Sequence, residues 1–258
     1  HHTPKCTANT SISQPPSGTV DQTWTTVSRS DPKLKGRKPT KSRWVYKVKL
    51  RRDGTLDKLK SRFVVCGYSQ RQGVDYERAF SSTLRASSFR TILAICAGRS
   101  LRLVHFDVSN AFTQADLDDV DVFVEPPRGY EEWETINGKR VSKLLHLQRA
   151  LYGTKQASRL WQNILRDFLL SHGFRASRAD PCVYRLQKGN EEIVVGVYVD
   201  DIVCGYRGDN LFNSFKRDFQ KRFKSTYEGE LHFFLGLSID QHKDFSIDLS
   251  CENNQTYG

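Results

Sequence analysis

Two adjacent aspartates interrupt an apolar segment of the chain. Asp200 and Asp201 stand in "VYVDDIVCGY", with Val197 and Val199 before them and Ile202 and Val203 after them. A carboxylate removed from water is costly unless its charge is compensated. The pair must therefore lie at a solvent-accessible turn or meet a cation. A plain turn would also account for the dipeptide, because Asp is common in turns.

A third carboxylate changes the interpretation of this pair. In "RLVHFDVSNAF" an apolar strand ends at Asp107, which taken alone could be a cap or a loop residue. Carboxylates that converge from neighbouring strands repel one another, and two divalent cations about 3.5–4 Å apart would neutralise them and organise an in-line phosphoryl displacement. Oxygen ligands favour hard cations, Mg²⁺ first, with Mn²⁺ as the alternative. The sequence thus predicts a metal-dependent site on Asp107, Asp200 and Asp201.

The elements that must position these residues interleave strands and helices without strict βαβ repetition. This order predicts an α+β fold, an antiparallel sheet backed by helices. A turn at Asp53 and Gly54 joins two basic strands into a hairpin, and Ser87 or Ser88 is the expected N-cap of the first helix. The predicted strands are "KSRWVYKVKL", "SRFVVCGYSQ", "LRLVHFDV", "DVFVEPPRGY", "DPCVYRLQ", "EEIVVGVYVDDIVCGY", "HFFLGLSID" and "DFSIDLS", and the predicted helices are "SSFRTILAICAGRS", the start at "SNAFTQADL", "SRLWQNILRDFLLSHGF" and "DNLFNSFKRDFQKRFK".

The composition points to a polyanionic partner. The 258 residues carry a net charge of +11, although basicity that only aids solubility is the alternative. Much of the charge is concentrated between residues 33 and 62, where only Asp53 and Asp57 oppose the cations. The basic residues there are Lys33, Lys35, Arg37, Lys38, Lys41, Arg43, Lys47, Lys49, Arg51, Arg52, Lys58, Lys60 and Arg62. Such a face should bind a phosphate backbone and lose affinity steeply with salt.

The domain organisation follows from the same composition. Residues 1–40 are rich in Ser, Thr, Pro and Lys and are predicted to be a disordered lead-in or linker, followed by one domain over residues 41–258. The six cysteines show no CxxC or Cys/His metal spacing, which favours buried, reduced thiols in an intracellular protein. We find no signal peptide and no apolar segment long enough to cross a bilayer, and hence expect no membrane partner. The absence of Met suggests a segment of a longer chain.

Several motifs, in this order, resemble copia-type retrotransposon reverse transcriptases over roughly residues 41–240. They are "WVYKVKLRRDGTLDKLKSRFVVCGYSQ", "FSSTLRASSFRTILAICA", "HFDVSNAFTQADL", "RALYGTKQASRLW", "YVDDIV" and "ELHFFLGLSI". The resemblance implies a right-hand polymerase with fingers and palm. It further implies that the sequence stops about where the thumb would start, before a ribonuclease H domain. The implied location is the cytoplasm, in a virus-like particle, or the nucleus.

The resemblance also implies roles for individual residues. Asp107, Asp200 and Asp201 match the catalytic aspartates and metal ligands, and the backbone carbonyl of Val108 matches a further ligand. Phe112 matches a steric gate against the ribose 2′-hydroxyl, with an ordinary core Phe as the alternative. Residues implied to contact the incoming dNTP are Tyr152, Gly153, Lys155, Gln156, Lys49, Lys60 and Arg62, and those implied to contact nucleic acid are Lys47, Arg51 and Tyr198. The alternative for residues 152–156 is a structural glycine loop.

The resemblance therefore predicts an RNA-directed DNA polymerase. Its expected partners are an RNA template, a DNA primer and dNTPs. A catalytically inactive nucleic-acid-binding remnant of such an element is the second hypothesis, since some loop residues depart from the family pattern. A generic basic scaffold protein would explain the charge, but it would not explain Asp107 together with Asp200 and Asp201.

Overall fold

The computed structural model describes residues 23–50, 54–117 and 120–251, a mixed α/β structure in which antiparallel sheets dominate. Its strands are Trp24–Val27 (β1), Ser42–Leu50 (β2), Leu56–Val65 (β3), Arg102–Val108 (β4), Val122–Val124 (β5), Trp133–Ile136 (β6), Lys139–Ser142 (β7), Leu144–Leu147 (β8), Arg175–Ala176 (β9), Val183–Lys188 (β10), Glu191–Tyr198 (β11), Asp201–Arg207 (β12), Ser225–Glu230 (β13), Phe233–Phe234 (β14), Leu237–Gln241 (β15) and Ile247–Cys251 (β16). Its α-helices are Ala86–Gly98 (α1), Ala157–Ser171 (α2) and Asp209–Arg222 (α3).

A six-stranded sheet forms the centre of the fold, in the order β13-β4-β12-β11-β10-β9. Every neighbouring pair in it is antiparallel. Strands β10, β11 and β12 are consecutive hairpins, whereas β4 reaches its place beside β12 from much earlier in the chain. The predicted α+β class is confirmed at this level.

Helices cover both faces of this sheet, which explains why its inner strands are nearly continuous apolar segments. Helix α1 packs closely on one face: a Cβ placed on Gly196 or Gly205 would collide with Ile92 or Cys96 of that helix. On the other face Phe106 of β4 packs among aromatic rings of α3 in tilted and edge-on contacts. Helix α2 lies beside α3, where its Trp161 and Phe168 contact Phe223.

A second, smaller core lies under the basic hairpin. Strands β2 and β3 pair with each other, and Trp44 and Phe63 at the base of this hairpin join Trp24 and the three-stranded sheet β1-β8-β5. Farther out, Tyr46 and Leu59 are exposed. The hairpin is therefore anchored at one end and stands in solvent at the other. Strands β6 and β7 form a separate hairpin, and β14, β15 and β16 form a C-terminal sheet.

The structure differs from three of the predictions. Within the predicted lead-in over residues 1–40, β1 pairs with β8 and residues Pro32–Leu34 form a 3₁₀ turn, while residues 1–22 lie outside the described part. Helix α1 begins after Arg85, without a side-chain cap from Ser87 or Ser88. The helix predicted at "SNAFTQADL" is only a 3₁₀ turn, Ala111–Gln114, entered through Asn110 in the left-handed region.

Two other expectations can be compared with the described residues. None of the helices found there has the length and apolar composition needed to traverse a bilayer. Of the cysteines described, Cys96, Cys182 and Cys204 are buried, Cys66 is half-buried and Cys251 is exposed, all as free thiols. The prediction of buried thiols is thus correct for three of them.

Candidate active site

The aspartate pair lies at the tight turn between β11 and β12. Only Val199 and Asp200 separate the two strands, and Tyr198 pairs with Asp201 across the turn. Val199 has φ +57°, a left-handed conformation that is costly for a β-branched residue. Its carbonyl accepts a 2.6 Å hydrogen bond from the indole Nε1 of buried Trp161. The carbonyl of Asp200 accepts a 2.9 Å bond from the Val108 amide. Both hydrogen bonds fix the turn against its neighbours.

The sheet register brings Asp107 to the same place. Asp107 and Asp201 are directly opposite each other on β4 and β12, and opposite residues of an antiparallel pair share a face. Asp200 follows at the turn. Burial raises the pKa of the Asp200 carboxyl above its ordinary value, and the negative charges of Asp201 and Asp107 raise it further. Asp107, Asp200 and Asp201 therefore lie at the same end of the sheet, and their joint role as a site stays a prediction.

His105 is a residue of this site that the sequence reasoning missed. Its Nε2 lies 3.0 Å from Oδ1 of Asp201, so one oxygen of that carboxylate already has a partner. His105 is two positions before Asp107 on β4 and therefore shares its face. That spacing is the signal from which it could have been found.

The donor set of the site suits a hard cation, although the three carboxylates are not equivalent. In the part of the chain that the structure describes, no group of three or more His, Cys, Asp or Glu side chains converges as a ready metal centre. Asp107 and Asp200 supply oxygen ligands only, the kind that Mg²⁺ prefers, and Asp200 holds a charge that burial disfavours. The two residues fit a cation, and the metal-binding assignment as a whole stays a prediction.

A basic face of the β2–β3 hairpin lies opposite the aspartates. The register pairs Lys47 with Lys60 and Lys49 with Lys58, which puts these side chains on one face. Desolvation lowers the pKa of Lys60, as do the charges of Arg62 and Lys49, while Asp107 and Asp200 act in the opposite direction. Lys60 therefore lies within electrostatic range of both carboxylates. Arg51, predicted to contact nucleic acid, lies outside the described residues.

Two aromatic rings adjoin the acidic end of the sheet. The rings of Phe112 and Tyr152 are 4.7 Å apart between centroids, and the guanidinium of Arg62 lies 5.5 Å from the Tyr152 ring. Burial raises the pKa of the Tyr152 hydroxyl and the charge of Asp200 raises it further, while Arg62 opposes the shift. The structure thus brings together Phe112, Tyr152, Arg62 and the aspartates.

The loop after Tyr152 packs against the base of the hairpin. Gly153 has φ +90°, and a Cβ there would lie 2.0 Å from the carbonyl oxygen of Val65. Only glycine permits this approach. The preceding carbonyl, of Tyr152, accepts a 2.8 Å hydrogen bond from the Val65 amide. Gly153 therefore has the structural role that the sequence analysis gave as the alternative. The loop that contains it fixes the hairpin relative to α2.

Gln156, predicted to contact the nucleotide, makes its side-chain hydrogen bonds inside the protein. Its side chain is buried, accepts from Gln70 at 3.3 Å and donates to the carbonyl of Asp75 at 3.1 Å. A buried polar group needs hydrogen-bond partners inside the protein, and these two bonds supply them for the side-chain amide of Gln156. The geometry therefore supports a structural role for Gln156. Lys155 is exposed, with its backbone amide bonded to Gln70. Tyr198 is half-buried against Phe234, and its contact with nucleic acid stays a prediction.

Phosphoryl transfer with two metal ions needs oxygen ligands that lie close together, and the structure places Asp107, Asp200 and Asp201 at one end of the sheet, opposite a basic hairpin. A more definite assignment comes from comparison with known proteins. The chain belongs to the reverse transcriptase (RNA-dependent DNA polymerase) family, whose model matches residues 21–254. The copia-type family predicted from the motifs is confirmed.

The curated relatives include polyproteins of plant transposons. The chain is 37% identical over 195 residues to the retrovirus-related Pol polyprotein from transposon RE1 of Arabidopsis thaliana, covering 76% of this chain and 13% of the relative. It is 34% identical over 220 residues to the Pol polyprotein from transposon RE2 of the same plant, covering 82% and 15%. It is 34% identical over 206 residues to the Pol polyprotein from transposon TNT 1-94 of Nicotiana tabacum, covering 80% and 15%. The chain thus spans about one seventh of the length of these relatives.

Proposed function

We propose that the chain is the RNA-directed DNA polymerase domain of a copia-type retrotransposon. In the proposed reaction the 3′-hydroxyl of a DNA primer attacks the α-phosphate of a dNTP, and pyrophosphate leaves. The observation that carries the proposal is the in-register pairing of Asp107 with Asp201 beside the Asp200 turn, opposite the basic residue Lys60. Family membership supports the same activity.

The six-stranded sheet would be the palm and the β2–β3 hairpin the fingers. Asp107 and Asp200 would hold divalent cations, with the carbonyl of Val108 beside them, and Asp201 would keep its contact with His105. When bound, the cations would neutralise the carboxylates, lower the pKa of the attacking hydroxyl and stabilise charge at phosphorus. The raised pKa of Asp200 supports this role, because a nearby cation relieves the cost of its negative charge.

The basic hairpin face would bind the triphosphate. The charges of Asp107 and Asp200 act on Lys60, the guanidinium of Arg62 lies over the Tyr152 ring, and Lys49 shares their face. Guanidinium and ammonium groups make charge-assisted hydrogen bonds to phosphate oxygens. These three residues would therefore orient the leaving pyrophosphate, while Lys47 would contact the nucleic-acid backbone.

Phe112 would select deoxyribonucleotides. Its ring is half-buried against Tyr152, which limits its movement. A fixed ring at the sugar position would clash with a 2′-hydroxyl, and selection by clash needs no attractive contact. Tyr152 would then form the floor beneath the sugar and base.

Primer extension on poly(rA)/oligo(dT) tests the proposal. We expect extension with Mg²⁺ or Mn²⁺, none with EDTA, and none for Asp107→Asn or Asp200→Asn. The matched control is Asp116→Asn, an exposed aspartate that pairs with Arg149, and it should extend normally. Extension only on a DNA template would identify an ordinary DNA polymerase. Salt-sensitive binding without any extension would identify the non-catalytic remnant and refute the proposal.

A further inference from the structure

A basic cavity lies far from the aspartates, at the other end of the central sheet. It has a volume of about 680 Å³ and opens between the end of α1 and strands β9 to β11. Glu192 in its wall is six residues before Tyr198 on β11, which separates it from the catalytic turn by about 20 Å. The cavity therefore belongs to neither the proposed dNTP site nor the fingers hairpin.

A buried carboxylate organises two arginines in this cavity. The side chain of Glu192 is only 2% exposed, and it accepts hydrogen bonds from Nη1 of Arg99, at 3.0 and 3.3 Å, and from Nε of Arg185. The two arginine side chains are 49% and 47% exposed. Both guanidiniums are thus held by Glu192, and Nη2 of Arg185 also donates to Oε1 of Gln187 at 2.6 Å. About half of each arginine side chain remains exposed, and holding the side chains in place lowers the entropy cost of binding an anion.

A third arginine leaves this cavity with uncompensated positive charge. Arg175 of β9 also lines it and is paired in register directly opposite Arg185. Like charges in that position repel. Within the described ranges the Arg175 side chain has no hydrogen bond or ion pair that would offset this, so three guanidiniums face one carboxylate. A bound dianion would balance the excess.

The remaining lining sets the chemistry of the ligand. Ile95 and Val183 contribute apolar surface beside the arginines, and the volume is in the range of small-molecule sites. We propose that this cavity is a second ligand site, which binds a nucleotide through its phosphate groups. The nucleotide is either free or the 5′-phosphorylated end of an RNA strand. Its phosphates contact Arg99, Arg175 and Arg185, and its flat body lies against the apolar wall.

Photolabelling of the whole chain with 8-azido-ATP in EDTA tests this site, because EDTA removes metal-supported binding at the aspartates. We expect label in peptides from residues 173–194. Arg175→Gln should reduce this label at least about tenfold, the effect of losing one charged hydrogen bond. Primer extension should stay within about twofold of the original, since Arg175 is remote from the turn. Lys60→Gln should label like the unmodified protein.

Competition separates the two sources of the phosphate. Stronger competition by a 5′-phosphorylated RNA than by the same RNA with a 5′-hydroxyl assigns the site to a strand end, and stronger competition by ATP assigns it to free nucleotide. Label confined to residues 42–65, or unchanged in Arg175→Gln, overturns the proposal. If Arg175→Gln fails to fold, the position of the label in the unmodified protein still decides between these results.

Discussion

At the scale of single residues, Asp200 should be favourable for catalysis and unfavourable for stability. Its pKa is raised from the ordinary 3.8, by burial first and then by Asp201 and Asp107. At pH values above the raised pKa, the ionised and partly buried carboxylate of Asp200 destabilises the folded protein. The Asp200→Asn variant should therefore unfold at a higher urea concentration than the original. This advantage should shrink as the pH falls through the raised pKa, because the original carboxyl then gains its proton in the folded state. Urea titrations at several pH values measure it.

If Asp200 holds a cation, Asp200→Asn should also lower kcat at least about a thousandfold. Added Mg²⁺ should raise the melting temperature of the original protein and not that of Asp200→Asn, because a ligand that binds only the folded state stabilises it. Asp116→Asn is the matched control for both measurements. A variant that is both less stable than the original and still active would contradict the assignment.

Lys60 and Lys58 offer a comparison on one strand. They are two residues apart on β3 and share a face, but the charges of Asp107 and Asp200 act on Lys60. Lys60→Gln should therefore raise the KM for dNTP about tenfold, as expected for one lost charged hydrogen bond to phosphate. Lys58→Gln should change it by less than about twofold. Steady-state kinetics with dTTP on poly(rA)/oligo(dT) checks this, and equal effects of the two substitutions would contradict it.

At the scale of elements, helix α2 fixes the turn that carries Asp200 through Trp161. The indole N–H donates to the carbonyl of Val199, the residue in the left-handed conformation. Trp161→Phe keeps a ring in the core but leaves that carbonyl without its donor, which should cost about 1–3 kcal/mol of unfolding free energy. The turn should also become less well ordered, so kcat should fall more than the KM for dNTP rises. Trp133→Phe, at an exposed tryptophan, is the control and should leave both unchanged.

The contact between the Gly153 loop and the β2–β3 hairpin predicts that a side chain at position 153 destabilises the protein. Gly153→Ala would place a methyl group 2.0 Å from the carbonyl oxygen of Val65 and would keep a positive φ, so it should cost more than about 2 kcal/mol. Gly73→Ala is a matched control, since Gly73 also has positive φ but has open space around it. The control should cost only about 1 kcal/mol. Urea unfolding measures both, and similar costs would show that the packing against Val65 is unimportant.

The strands and helices that the sequence predicts well are those with a local signal. Alternation identifies the β2–β3 hairpin, and the apolar spacing in residues 160–169 identifies α2. Strand β1 was missed because its partner, β8, is about 120 residues away and four residues of "WTTV" carry little pattern of their own.

Contacts between distant residues also limit how much of the candidate site the sequence predicts. Motifs predict the aspartates, but the hydrogen bonds of His105 to Asp201 and of Gln156 to Asp75 are seen in the structure and not in the motifs.

At the scale of the whole molecule, the net charge of +11 should act through one surface. The hairpin face that carries Lys47 and Lys60 lies toward the aspartates, whereas Lys221 is exposed on α3, the helix that packs on the sheet face carrying Phe106. A strand of nucleic acid that reaches the aspartates should therefore release counterions at the hairpin and not at α3.

This expectation can be measured as the slope of log affinity against log salt for an RNA–DNA hybrid. Between about 50 and 300 mM KCl, Lys47→Gln should reduce the slope by about 1, the effect of one lost phosphate contact. Lys221→Gln removes the same net charge and should leave the slope unchanged. Fluorescence anisotropy with a labelled hybrid gives both values. If both variants reduce the salt slope equally, the nucleic acid is attracted by the overall charge of the protein. A larger reduction for the hairpin variant than for the α3 variant is needed to show that the nucleic acid binds at the hairpin.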